Sequence, residues 1–154
     1  MANTYTQIHI HAVFAVQNRL SLIQKQWKEE LYQYIAGIID NNHKHKLLQI
    51  GGMHDHVHVL FGMRPTQSVS DLIQDIKGSS SSWINKNKLV HGKFSWQEGY
   101  GAFSYGKSQI YDVVQYIKNQ ETHHKKRTFA DEYLEFLKLF GIDYDERFVL
   151  RNPE

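Results

Sequence analysis

Polar and apolar residues alternate, recur at helical spacing, then alternate again along this chain, and each change of period marks an element. Residues 4–16 (TYTQIHIHAVFAV) alternate and are rich in β-branched and aromatic side chains, which predicts a strand. Ser21, with Gln24 three residues on as a capping box prefers, predicts a helix start. Trp27, Leu31, Tyr34, Ile35 and Ile38 carry its apolar stripe towards Asp40. Residues 45–51 (HKLLQIG) and 54–61 (HDHVHVLF) predict two antiparallel strands joined by a turn at Gly51-Gly52. Ser68 and Asp71 open a second helix, with Val69, Leu72, Ile73 and Ile76 on its apolar side. The small polar run Lys77-Gly78-Ser79-Ser80-Ser81-Ser82 is expected to interrupt it. Residues 89–108 predict short strands and a loop. A third helix is expected from near Ser108 to about Lys126, and a last one over residues 131–140, stopped by Gly141 before an extended end.

This order predicts an α+β fold, a ferredoxin-like (RRM-like) antiparallel sheet with helices on one face and a C-terminal helical addition. One domain is expected over residues 1–154, with 127–154 as a helical and extended tail. The second sheet face is expected to stay free to bind something.

Composition narrows the partners. The net charge is +2, but residues 1–127 carry 15 Lys/Arg against 9 Asp/Glu, and residues 128–154 carry 3 against 7. A basic body is compatible with a phosphate-rich partner, and the acidic tail is not expected to touch one. The absence of cysteine excludes thiolate zinc sites and disulfides. No stretch approaches the length of a membrane span, so a cytoplasmic protein is expected.

Candidate chemistry gathers on two elements. His56 and His58 alternate with Val57 and Val59, so both imidazoles project from one strand face while the valines are buried beneath. Two imidazoles are a start on a divalent metal site, and two neutral ligands leave a hard cation under-coordinated. On a wheel of about 100° per residue, Ile110, Val113, Val114 and Ile117 make the buried stripe of the third helix, and Tyr116 lies roughly 110° from its centre. Gln120 and His123 fall within roughly 40° of Tyr116 on the same wheel. A half-exposed tyrosine among solvated neighbours would give the same pattern. Tyr111, a second tyrosine, falls opposite Gln120.

The combination resembles the single-tyrosine HUH transposases of the insertion sequence 200/605 group. The resemblance rests on Asp55-His56-Val57-His58-Val59-Leu60, His11-Ala12-Val13-Phe14 and Ile76-Lys77-Gly78-Ser79-Ser80. It also rests on residues 96–104 (WQEGYGAFS) and on Tyr116-Ile117-Lys118-Asn119-Gln120-Glu121-Thr122-His123-His124. His54 and Asn18 depart from the commonest pattern.

The resemblance implies that the third helix carries the nucleophile, Tyr116, and that His56, His58 and Gln120 ligate Mg²⁺ or Mn²⁺. The reaction it implies cuts and rejoins single-stranded DNA beside a hairpin, through a 5′-phosphotyrosine. It further implies a homodimer in which the tyrosine helix serves the other subunit's histidines. His11 and His123 are candidates for a supporting shell. Lys44, Lys46, Lys86, Lys88 and Lys93 are candidate phosphate contacts. Three rivals stand beside this reading. A non-catalytic nucleic-acid binder would want aromatics on the central strands. A water-using hydrolase would want more carboxylates, with Asp55 expected on the wrong face. A domesticated nuclease acting on chromosomal repeats would carry the same residues.

Overall fold

The computed structural model describes residues 3–123 and 127–145. Four strands, β1 (His9–Ala15), β2 (Lys46–Gly52), β3 (His56–Gly62) and β4 (Gly101–Tyr105), form one sheet in the order β2-β3-β1-β4, with every neighbour antiparallel. With helices α1 (Lys25–Gly37) and α2 (Val69–Lys86) between the strands, this is the expected ferredoxin-like α+β arrangement. Among the described residues no helix is long and apolar enough to cross a membrane.

Strand alternation divides the sheet cleanly. Ala12, Phe14, Val57, Val59 and Phe61 face α1 and α2, where they meet Leu31 and Ile35 of α1 and Leu72, Ile73 and Ile76 of α2. The other face carries His11, Val13, Ala15, His56, His58 and Leu60, aligned across β1 and β3 by pairs such as Val13 with His58 and Ala15 with His56. It was expected to be open, but three helices lie over it: α3 (Ile110–Lys118), the short α4 (Gln120–His123) and α5 (Phe129–Leu139). Val113 and Ile117 of α3 pack on Leu60, and Phe129 and Leu137 of α5 join Val13, Ala15 and Phe103.

Tertiary contacts override several local expectations. The helix start moves from Ser21 to Lys25, because the amide of Ile23 bonds to the carbonyl of His54 and holds the segment extended. The serine run does not interrupt α2. Ser79 and Ser81 bond to Asp75 and to the carbonyl of Gly78, and the buried Ser80 accepts the Trp96 indole N–H at 2.9 Å, so the small side chains are what admit Trp96. Residues 89–108 yield β4 and a single bridge, Val16 with Trp96, rather than several strands. The third helix breaks at Asn119, and its expected end near Lys126 lies outside the described residues. The last helix starts two residues early because Thr128 caps it, accepting from the amide of Asp131 at 3.2 Å. Gly141 follows it with φ +65°, a left-handed stop.

One close approach positions the site. A Cβ on Gly51 would stand 2.7 Å from the carbonyl oxygen of Ile117, so only glycine lets α3 lie this near the β2 backbone.

Candidate active site

His56 and His58 enter the site on β3, and both are fully buried. Asp55 lies in the bend just before the strand, so the alternation that would turn it away has not begun. Contrary to expectation it reaches the site: its Oδ1 accepts from Nδ1 of His56 at 2.7 Å. This bond orients the ring and presents Nε2 to the interior, as a carboxylate commonly does for a metal-ligating histidine. Nδ1 of His58 is likewise engaged, 2.8 Å from Nε2 of His11. Burial and the neighbouring His58 hold His11 well below its ordinary pKa. His54 is not on the strand face; its Nδ1–H points to the carbonyl of Ile23 at 2.7 Å.

Gln120, just past the break at Asn119, still reaches this interior. Its Oε1 lies 3.0 Å from Nε2 of His56. The largest surprise is Glu132 of α5, a fully buried carboxylate at the centre of the cluster. Its Oε1 stands 2.9 Å from Nε2 of His58 and 3.6 Å from Nε2 of His56. Its Oε2 accepts from the Gln120 amide at 3.2 Å and from the Tyr116 hydroxyl. A buried carboxylate is costly unless its lone pairs are used, and here they are. The Phe129 ring stacks on His56, with centroids 4.2 Å apart, and closes the cluster from the α5 side.

Tyr116 meets the histidines of its own chain: its ring stands edge-on to His58, with centroids 5.8 Å apart. Burial first, and then the Glu132 charge, push the phenol well above its ordinary pKa. Tyr111, the rival tyrosine, is 72% exposed and lies outside the cluster.

The donor set suits a divalent cation. The imidazole nitrogens of His56 and His58 and a carboxylate oxygen of Glu132 all lie within 4.8 Å of one another. Spacings of 2.9 and 3.0 Å between adjoining donor atoms are close to what bonds of about 2.1 Å at right angles would give. Gln120 thus has a competitor for the third protein ligand, Glu132, that sequence reasoning missed. The lysines stand elsewhere: Lys44, Lys46, Lys86, Lys88 and Lys93 are all exposed, at the start of β2 and around the end of α2. The His123 side chain lies outside the described residues.

Residues 4–120 match the family of IS200-like transposases, and the chain belongs to that family. No curated protein matches it. Solved structures that share the fold include the following two. One, a "putative transposase" from Deinococcus radiodurans R1, is 22% identical with a TM-score of 0.61, over 78% of this chain and 95% of that one. The other, a REP-associated tyrosine transposase bound to a REP hairpin, is 13% identical with a TM-score of 0.61, over 80% of this chain and 73% of that one. The family match ends at residue 120, so Glu132 and all of α5 lie beyond it.

Proposed function

We propose that this transposase cuts and rejoins single-stranded DNA beside a hairpin, with Tyr116 as nucleophile and His56, His58, Glu132 and Gln120 as the donors for one Mg²⁺ or Mn²⁺. The observation that carries the proposal is the hydroxyl of Tyr116 and the two Nε2 atoms converging on a single buried carboxylate. Family membership supports the DNA substrate, and the hairpin-bound fold relative supports the form of that substrate.

The phenolic oxygen bonds to phosphorus as the bond from phosphorus to the 3′-oxygen breaks. The phenol proton passes to Oε2 of Glu132, which already accepts it as a hydrogen bond, and the 3′-oxygen leaves as a hydroxyl by taking a proton from solvent water, to which Glu132 returns the phenol proton. One phosphodiester becomes another, so the 3′-hydroxyl of a second strand reverses the step without added energy. The bound cation would withdraw charge from the non-bridging phosphate oxygens and orient them. Asp55 and His11 hold the imidazole rings in place, and Phe129 keeps water from His56. Imidazole donors favour Mn²⁺ over Mg²⁺ in binding strength, and the Glu132 carboxylate makes either usable. The exposed lysines serve as phosphate contacts for the rest of the strand, and the cytoplasm, where such DNA is found, is the working compartment.

The test is incubation with hairpin-bearing single-stranded DNA and Mn²⁺, read on a denaturing gel. A protein–DNA adduct should form and fall by at least ~10⁴-fold in Tyr116→Phe, the scale expected for losing a nucleophile. Cleavage that survives this change would mean that water is the nucleophile. Exchange of α3 between subunits of a homodimer is a second reading that rests on the resemblance. Mixing His56→Ala with Tyr116→Phe chains separates the two: recovered cleavage requires exchange, and the placement of Tyr116 over its own His58 favours none.

A further inference from the structure

Between α3 and α5 a cleft of about 320 Å³ runs from the surface down to Tyr116 and Glu132. Its walls are mostly apolar, with Val113 on one side and Phe136 and Leu139 on the other. Leu139 is 75% exposed at the rim. Arg127 also lines the cleft, and among the described residues that line it, Arg127 is the one lysine or arginine. Its guanidinium is hydrogen-bonded to the Tyr116 oxygen and paired with Glu135.

A phosphate alone has no use for an apolar wall, whereas a nucleobase does, because any base can lie against an aromatic face. The volume stands at the low end for ligand sites, about 300–1,000 Å³, and suits one base rather than a duplex. A guanidinium offers a planar fork that matches phosphate oxygens, and this one already touches the oxygen that is to bond to phosphorus. The mouth also carries Asp112 and Glu135, which would repel a phosphodiester without a cation beside them.

Resting on the transposase reading above, we infer that the α3–α5 cleft seats the nucleobase next to the scissile phosphate, against Phe136, and that Arg127 is a catalytic residue that binds that phosphate beside Tyr116. Arg127 lies beyond the family match, so this part of the site is supplied by the C-terminal segment.

Two measurements on the full-length protein test it. The first is single-turnover adduct formation with hairpin-bearing single-stranded DNA and Mn²⁺. Arg127→Ala should lower the rate constant at least ~100-fold with hairpin binding and melting temperature unchanged, and Arg127→Lys should recover less than ~10-fold, since a point charge lacks the fork. Glu135→Gln, which removes the ion pair and one negative charge, should keep or raise the rate. Equal losses in Arg127→Ala and Glu135→Gln would reduce Arg127 to a tether between helices and overturn its role. The second measurement uses the Tyr116→Phe protein and a strand with 2-aminopurine at either position flanking the cleavage site. Its fluorescence should be quenched on binding, and Leu139→Trp, which fills the rim, should abolish the quench. Quenching unaffected by Leu139→Trp would place the base elsewhere. Adduct formation by the wild type without quenching overturns the cleft alone; quenching without any adduct overturns the tyrosine reading and leaves the cleft standing.

Discussion

The two faces of the sheet are built from the same strands to opposite rules. Towards α1 and α2, Phe14, Val57, Val59 and Phe61 pack into a broad apolar core. Towards α3 and α5, the alternate positions are His11, His56 and His58, and each buried polar atom there demands a partner. The first face supplies stability without specific chemistry. The second bears buried charge, offset by a chain of hydrogen bonds from Asp55 through His56, Gln120 and Glu132 to Tyr116. The comparison teaches that side-chain period alone assigns the faces, and the helices that arrive later decide what each face does.

The largest effect that would break this comparison is on the apolar face. Phe61→Ala, at a fully buried position, should cost about 3–5 kcal/mol of stability, read as a fall in the urea midpoint with little change in slope. A loss under half that size would mean that the face is not closely packed. Glu132→Met sharpens the other side. Without a cation it should cost about 1–3 kcal/mol of stability, because the Tyr116 hydroxyl, the Gln120 amide and the His58 ring lose their buried acceptor. It should also abolish the gain that Mn²⁺ gives the wild type, about 2.7 kcal/mol at a hundredfold excess over Kd. Retention of that gain would remove Glu132 from the donor set. The smallest effect is at Asp55→Asn, where Mn²⁺ affinity by calorimetry should weaken about 10–100-fold while the melting temperature without metal barely moves. Unchanged affinity would make the Asp55–His56 bond incidental.

The sheet was legible because β1 and β3 alternate over seven residues each, and a strand period survives whatever packs on it. His56, His58, Tyr116 and Gln120 were legible as a combination, although the helix expected to align the last two is broken between them at Asn119. Glu132 was missed because it sits in an acidic tail that was not expected to touch a phosphate-rich partner. A signal was present: Phe129, Glu132, Tyr133, Phe136 and Phe140 follow helical spacing, and Glu132 occupies an apolar position in that stripe. A carboxylate on the buried side of a helix must be neutralised by something, and two histidines awaiting a ligand were the available answer. Asp55 was missed for a simpler reason: strand alternation was extended one residue too far. The serines of α2 were misread because propensity says nothing of Trp96, which needs their small size from a distance of 16 residues.

The absent side chain of Gly51 has a mechanical consequence. Histidines and tyrosine are carried on separate elements, like the two jaws of a caliper, and the jaw carrying Tyr116 rests directly on the backbone of β2. With the Ile117 oxygen where a Cβ would be, there is no compressible layer between them. The gap between Tyr116 and the histidines is therefore set by backbone against backbone, and one added methyl at residue 51 would reset the tool.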